Sequence, residues 1–180
     1  MNTEAKIKKY EITKSTVECY KLRHASGMYW ADITVDAKDK TGRIQIASDY
    51  GDWQYYWGAC GSSFKQFLTE LNMEYVAGKF GEGRHFDIAA TIKLNKRLVL
   101  EHRKDESISA IQARGMFTEL NELGNYCDTE KEFCNEWYNK EKLPKFFEEF
   151  PDTVSGVSPR FVIFWDNCWA AFIEELKKEL

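Results

Sequence analysis

The side chains able to do acid–base, nucleophilic or metal chemistry are few and scattered. His24, His85 and His102 lie far apart, and none falls in the H-E-x-x-H or triad-motif spacings that bring imidazole to a metal or a nucleophile. Cys19, Cys60, Cys127, Cys134 and Cys168 include no C-x-x-C pair. Zinc needs four ligands with tight local spacing, and Cys127 and Cys134 stand without a neighbouring histidine. The cysteines are expected to be reduced, mostly buried thiols. Gly78-Lys79-Phe80-Gly81-Glu82-Gly83 does not follow a strand and lacks the G-K-[ST] ending of a phosphate loop. Asp49-Tyr50-Gly51-Asp52 offers two carboxylates and a backbone carbonyl, short of the oxygen set that calcium prefers. It reads instead as a turn whose aspartate bonds nearby amides. No catalytic residue, metal or cofactor is assigned, and the chain is read as a non-enzyme.

The remaining chemistry is that of surfaces. Tyr50, Trp53, Tyr55, Tyr56 and Trp57 crowd around the acidic turn. On a strand Trp53, Tyr55 and Trp57 share one face and Tyr56 takes the other. Such a row is a core wall, a surface gripping a protein, or a platform on which single-stranded bases stack. Net charge is −4, yet residues 1–104 carry an excess of positive charge and residues 105–180 a larger excess of negative charge. Opposite-sign surfaces and ordinary solvated helix faces both produce that split. Read as a partner-binding surface, it nominates Asp49, Tyr50 and Asp52 with Glu119, Glu122, Glu130, Glu132 and Glu136, an acidic set suited to a basic groove on a nucleic-acid enzyme. Read as a nucleic-acid surface, it nominates Lys93, Lys96, Arg97, Arg103 and Lys104. No RNA-binding or helix-turn-helix motif accompanies the latter.

These residues need elements to position them. Hydrophobic residues make up 43% of 180, enough for a buried core, and the chain is expected to form one domain over 1–180, mostly strands to residue 60 and mostly helices from 61. Lys6–Thr13 and Thr16–Arg23 are candidate strands. Tyr29–Ala37 alternates Ile33, Val35 and Ala37 with Asp32, Thr34 and Asp36. Asp39-Lys40-Thr41-Gly42 supplies a hairpin turn, with Gly42 available for a left-handed position. Arg43–Ser48 returns with Ile44 and Ile46 inward and leads into Trp53–Trp57. This is an antiparallel meander of four to five strands. Helical periodicity then predicts five to six helices: from Ser62 or Ser63, from about Asn72, from Asp87, from Ser107 with Ile108 and Ile111 inward, and from Thr129, whose spacing to Glu132 fits a capping box. A long apolar helix starts at Ser158-Pro159 and carries Phe161, Phe164, Trp165, Cys168, Trp169, Phe172 and Leu176. The fold class is α+β. No segment is apolar enough to span a bilayer, and Met1-Asn2-Thr3-Glu4-Ala5-Lys6 has no apolar signal region behind it. A soluble, cytoplasmic protein is expected, without a membrane partner and with its oligomeric state open.

Two stretches carry a resemblance. Ser48-Asp49-Tyr50-Gly51-Asp52-Trp53-Gln54-Tyr55-Tyr56-Trp57-Gly58, followed by Phe64-Lys65-Gln66-Phe67-Leu68, resembles small uncharacterised proteins of tailed bacteriophages and prophages. These share an S-D-[YW]-G-x-W-x-Y-x-W-G pattern and then F-x-x-F-L. Ser158-Pro159-Arg160-Phe161 and Ile173-Glu174-Glu175-Leu176 look like the end of the same group. The resemblance implies no activity and no catalytic residues. It implies context, a small accessory protein in the cytoplasm of a bacterial host. With the missing catalytic constellation and the segregated charge, the expected function is inhibition of a bacterial defence complex, of anti-CRISPR or anti-restriction type, by stoichiometric protein binding. The alternative is a nucleic-acid-binding helper in phage replication or recombination.

Overall fold

A computed structural model describes residues 11–147 and 150–180. The chain divides into two compact units, one holding the residues up to Leu71 together with Ile163–Leu180, the other Asn72–Val162.

The first unit is built on an antiparallel meander of β1 (Glu18–Leu22), β2 (Ala31–Lys38), β3 (Thr41–Ser48) and β4 (Trp53–Trp57), in that spatial order. The register sets Tyr20 opposite Ile33, Ile33 opposite Ile46 and Ile46 opposite Trp53. One face of the sheet is therefore continuously apolar, and Ala31, Ile33, Val35, Ile44, Ile46, Trp53 and Trp57 on it are buried. Ala37, expected inward, lies beyond the core and is exposed. Of the candidate strand Lys6–Thr13, residues 6–10 lie outside the described residues and Glu11–Thr13 join no strand.

The β2–β3 turn contains only Asp39 and Lys40, and it is Asp39 that takes the positive φ, 48°. Gly42 serves a different need. A Cβ there would meet the Phe64 ring at 2.2 Å, so glycine lets the ring of α1 (Phe64–Thr69) lie directly on the strand. Helix α1 starts at Ser63, whose hydroxyl accepts from the Gln66 amide. The amides of Cys60 and Phe64 bond back to the carbonyls of Lys40 and Asp39.

The second unit contains α2 (Met73–Phe80), β5 (His85–Phe86), α3 (Ile88–Lys104), α4 (Ala110–Tyr126), α5 (Glu130–Tyr138), α6 (Leu143–Phe146) and β6 (Ser155–Gly156). Helices α3 and α4 run antiparallel, as Lys96 bonds Asn121 while Ile92 faces Gly124. Ile92, Val99, Met116, Leu120, Leu123, Phe133, Trp137 and Leu143 form the core. The caps Asn72, Asp87 and the Thr129/Glu132 box stand where the sequence places them. Helix α4 opens at Ser109 rather than Ser107, with Gln112 completing a capping box. Ser107 bonds Asp105 instead. The shift turns Ile111 outward, 80% exposed, while Ile108 is buried ahead of the helix. The pair β5–β6 was not expected. It is too short for period-two alternation to show.

Residues 159–177 are helical in three stretches, α7 (Pro159–Phe164), a π-helical turn (Trp165–Trp169) and α8 (Ala170–Lys177). The expected long apolar helix is thus interrupted by wider i→i+5 bonding, seen in the Ala170 amide donating to the Trp165 carbonyl. Phe161, Phe164, Cys168, Trp169, Phe172 and Leu176 are buried, Trp165 partly so. Among the described residues there are eight α-helices and the one π-helical turn, and the architecture is α+β. No helix among them is long and apolar enough to cross a membrane.

Candidate binding pocket on the sheet unit

The acidic turn is built from its first residue. The Ser48 hydroxyl accepts from the amides of Tyr50 and Gly51 and donates to the Gly51 carbonyl at 2.7 Å. Gly51 has φ 150°, and a Cβ on it would press on the Trp53 ring at 2.8 Å. With the turn closed by serine, Asp49 is released for a longer reach. Its carboxylate accepts from the backbone amides of Tyr29 at 2.6 Å and Trp30 at 3.3 Å, and the Asp49 amide donates to the Trp30 carbonyl. Tyr29 is held at φ 60°, a left-handed conformation that a bulky residue rarely adopts without compensation. The expectation that an aspartate here bonds nearby amides has the right chemistry, with amides from the β1–β2 loop rather than from its own turn.

This pinning sets the Tyr29 ring over the Tyr50 ring, 6.4 Å apart and nearly parallel, with the exposed His24 ring edge-on to Tyr29 at 5.7 Å. Tyr50 also meets Phe164 edge-on. The three rings border a cavity of about 630 Å³ whose other walls are Leu22, Arg23, Ile163, Asn167, Cys168 and Ala171. Asn167 and Cys168 stand on the π-helical turn, an interruption frequent at functional sites. Arg23 is braced by Asp32 at 2.6 Å and lies over the Trp30 ring. Burial raises the Tyr50 phenol above the ordinary tyrosine range, with smaller contributions from Cys168, Tyr29 and Asp49. Burial also raises the Cys168 thiol, with Asp49 adding to it. Both groups are therefore neutral near pH 7, and the thiol is not a ready nucleophile. The Tyr50 hydroxyl is buried and finds no hydrogen-bond partner among the described residues. The pocket can grip an aromatic or apolar side chain and offer it polar atoms at the edge.

The aromatic row proves to be core. Trp53 packs on Phe164 at 4.8 Å, and Trp57 on Phe64 and Phe67. Tyr55 leans on Trp57. Only Tyr56 faces outward, over Arg43. The row is thus not available as a base-stacking platform.

The nominated acidic residues are divided between the two units. Asp49, Tyr50 and Asp52 belong to the first unit, and Glu119, Glu122, Glu130, Glu132 and Glu136 to the second. Within the second unit Glu119 is buried, its carboxylate accepting from the amides of Lys142 and Leu143 at the start of α6. Glu122 pairs with Lys140, Glu130 accepts from Thr153, and Glu132 caps α5. Glu136 is half-buried and Asp52 exposed. Among the nominated cations, Lys93, Lys96 and Arg97 line one groove with Leu94, Leu100 and Phe117. Arg103 and Lys104 sit in the last turn of α3, where positive charge complements the helix dipole.

Of the histidines, His24 borders the pocket and bonds Ser26. His102 packs edge-on to Phe146 and Phe147. Among the described residues no three His, Cys, Asp or Glu side chains converge as a metal site would require. Sequence reasoning reached Asp49 and Tyr50 but missed Tyr29, Asn167 and Cys168 as their neighbours. The positive φ of Tyr29 and the π turn leave no mark in residue type.

Compared with known protein families, the chain matches one described as a phage family, Phage_phiTE_072, over residues 10–179. It belongs to that family. No curated protein and no solved structure matches it. The phage association expected from the sequence therefore stands at the level of the family.

Proposed function

We propose that this phage-family protein acts by binding rather than turnover, as a stoichiometric inhibitor of a bacterial defence complex in the host cytoplasm. The observation that carries the reading is the Tyr29–Tyr50 pair. A carboxylate is committed to holding Tyr29 in a left-handed conformation so that its ring stands on Tyr50 at the mouth of a cavity. Exposed tyrosine with low conformational freedom is the type of side chain that anchors protein interfaces. Met28 beside it is 56% exposed and adds an adaptable apolar contact. Backbone strain at a surface loop is characteristic of sites kept for function.

The test is affinity capture with the tagged protein from bacteria carrying active CRISPR or restriction systems, read by mass spectrometry. The expected result is one defence complex in stoichiometric amount, lost with Tyr29→Ala while circular dichroism is unchanged. Capture of replication proteins or nuclease-sensitive nucleic acid instead overturns the reading. So does retention of the same defence complex by folded Tyr29→Ala and Tyr50→Ala variants.

A further inference from the structure

The groove on the second unit has features unlike those of the tyrosine pocket. Its floor is apolar, formed by Ala89 and Leu100 of α3 and by Phe117 of α4, and its volume is about 640 Å³. Leu100 is 48% exposed, a large aliphatic side chain left uncovered towards the end of α3. The rim is cationic. Lys93 makes no ion pair among the described residues. Among the described residues Lys96 bonds the neutral Asn121 alone and lies over the Phe117 ring at 5.7 Å. Arg97 has a single 3.7 Å contact with Glu101, both exposed, a pairing of little energetic weight. The site thus combines uncovered apolar area with positive charge that meets no buried counter-charge among the described residues.

From Ala89 to Leu100 the groove follows three turns of α3, about 16 Å at 1.5 Å per residue. That length matches the i, i+3/i+4, i+7 anchors of an amphipathic helix lying in a groove. We infer that the α3–α4 groove is a docking site for an acidic amphipathic helix of a partner protein, whose leucine-type anchors cover Leu100 and Phe117 and whose carboxylates meet Lys93, Lys96 and Arg97. Nucleic acid is the less fitting occupant. Phosphates would use the rim and leave the apolar floor uncovered, and Phe117 is occupied by Lys96 rather than open to a base.

The experiment is fluorescence anisotropy on the full chain, using as probe a labelled helical peptide of about four turns with leucines on one face and glutamates flanking them. The controls are a scrambled peptide of equal composition, a lysine-for-glutamate version and a labelled oligothymidine. The expected result is saturable one-to-one binding of the acidic amphipathic peptide alone, weakened about tenfold or more by Lys93→Glu combined with Arg97→Glu. Leu100→Asp, an exposed change that leaves the core intact, is expected to weaken it similarly. The inference is overturned by no saturable binding, by equal binding of the scrambled peptide, by binding that ignores all three substitutions, or by tighter binding of oligothymidine. None of these outcomes bears on Tyr29 or Tyr50, so this site and the proposed inhibitory pocket stand or fall separately.

Discussion

Tyr50 holds two conditions in tension. Its ring is stacked on Tyr29, while its hydroxyl is buried without a partner among the described residues. An unpaired buried hydroxyl carries a desolvation cost of about 1–3 kcal/mol. Tyr50→Phe is therefore expected to leave stability unchanged or raise it by up to about 1 kcal/mol, measured by urea unfolding. If the hydroxyl meets a partner atom on binding, the same variant loses affinity while gaining stability. A destabilised Tyr50→Phe would show that the hydroxyl is satisfied in the folded protein. Gly42 is the opposite kind of position, where nothing fits. Gly42→Ala puts a methyl group into the Phe64 ring, and overpacking of this kind costs about 1–3 kcal/mol. The expected result is a lower urea midpoint with an unchanged slope. The presence of a glycine was legible in the sequence, but its reason was not, because Phe64 lies 22 positions further along the chain.

At the scale of elements, the sequence was most readable where a structure is closed by near neighbours. Strand alternation placed β2, β3 and β4, and Ser63, Asn72, Asp87 and Thr129 announced their helices. Helix α6 is short and receives its N-terminal partner from elsewhere, from Glu119 on α4. Glu119→Ala is expected to orphan two amides and lower stability by about 2 kcal/mol, without altering capture of a partner. A Glu119→Ala protein as stable as the parent, by thermal or urea melting, would remove α6 capping as the role of that carboxylate. The start of α7 is held in a similar way. The buried Glu82 carboxylate accepts from Ser158 and Arg160 at 2.5 Å each, and this bond holds the Arg160 guanidinium above its ordinary range. Neither glutamate differs in type from the solvated ones around it, which is why residue type alone assigned Glu119 to an open acidic face.

At the scale of the molecule, charge links segments that are distant in the chain. Lys65 on α1 donates to Glu18 at 2.5 Å and to Glu179 at 2.6 Å, and Tyr20 donates to both carboxylates. The Lys65 and Tyr20 hydrogen bonds hold Glu18 and Glu179 below the usual glutamate range. Depressed carboxylates contribute stability that is present above the unfolded-state value, about 4.3 for glutamate, and that is lost as pH falls through the lower folded-state values. The expected outcome is a parent protein whose melting temperature drops as pH falls below about 4, and a Lys65→Met variant less stable at neutral pH with a shallower acid slope. Parallel acid profiles for the two proteins would mean that this cluster does not couple to folding. The sequence by itself determined the α+β class, the meander and most helix starts, because periodicity and capping act over a few residues. It also carried the resemblance to phage proteins that the family match bears out. Only the tertiary structure decided that Trp53 and Trp57 are core, that Asp49 spends its charge on Tyr29, that a π turn delivers Asn167 and Cys168 to the pocket, and that three cations share one groove. Each of those depends on residues brought together across the chain, and the energy that fixes them is packing and hydrogen bonding at a distance, which no local pattern encodes.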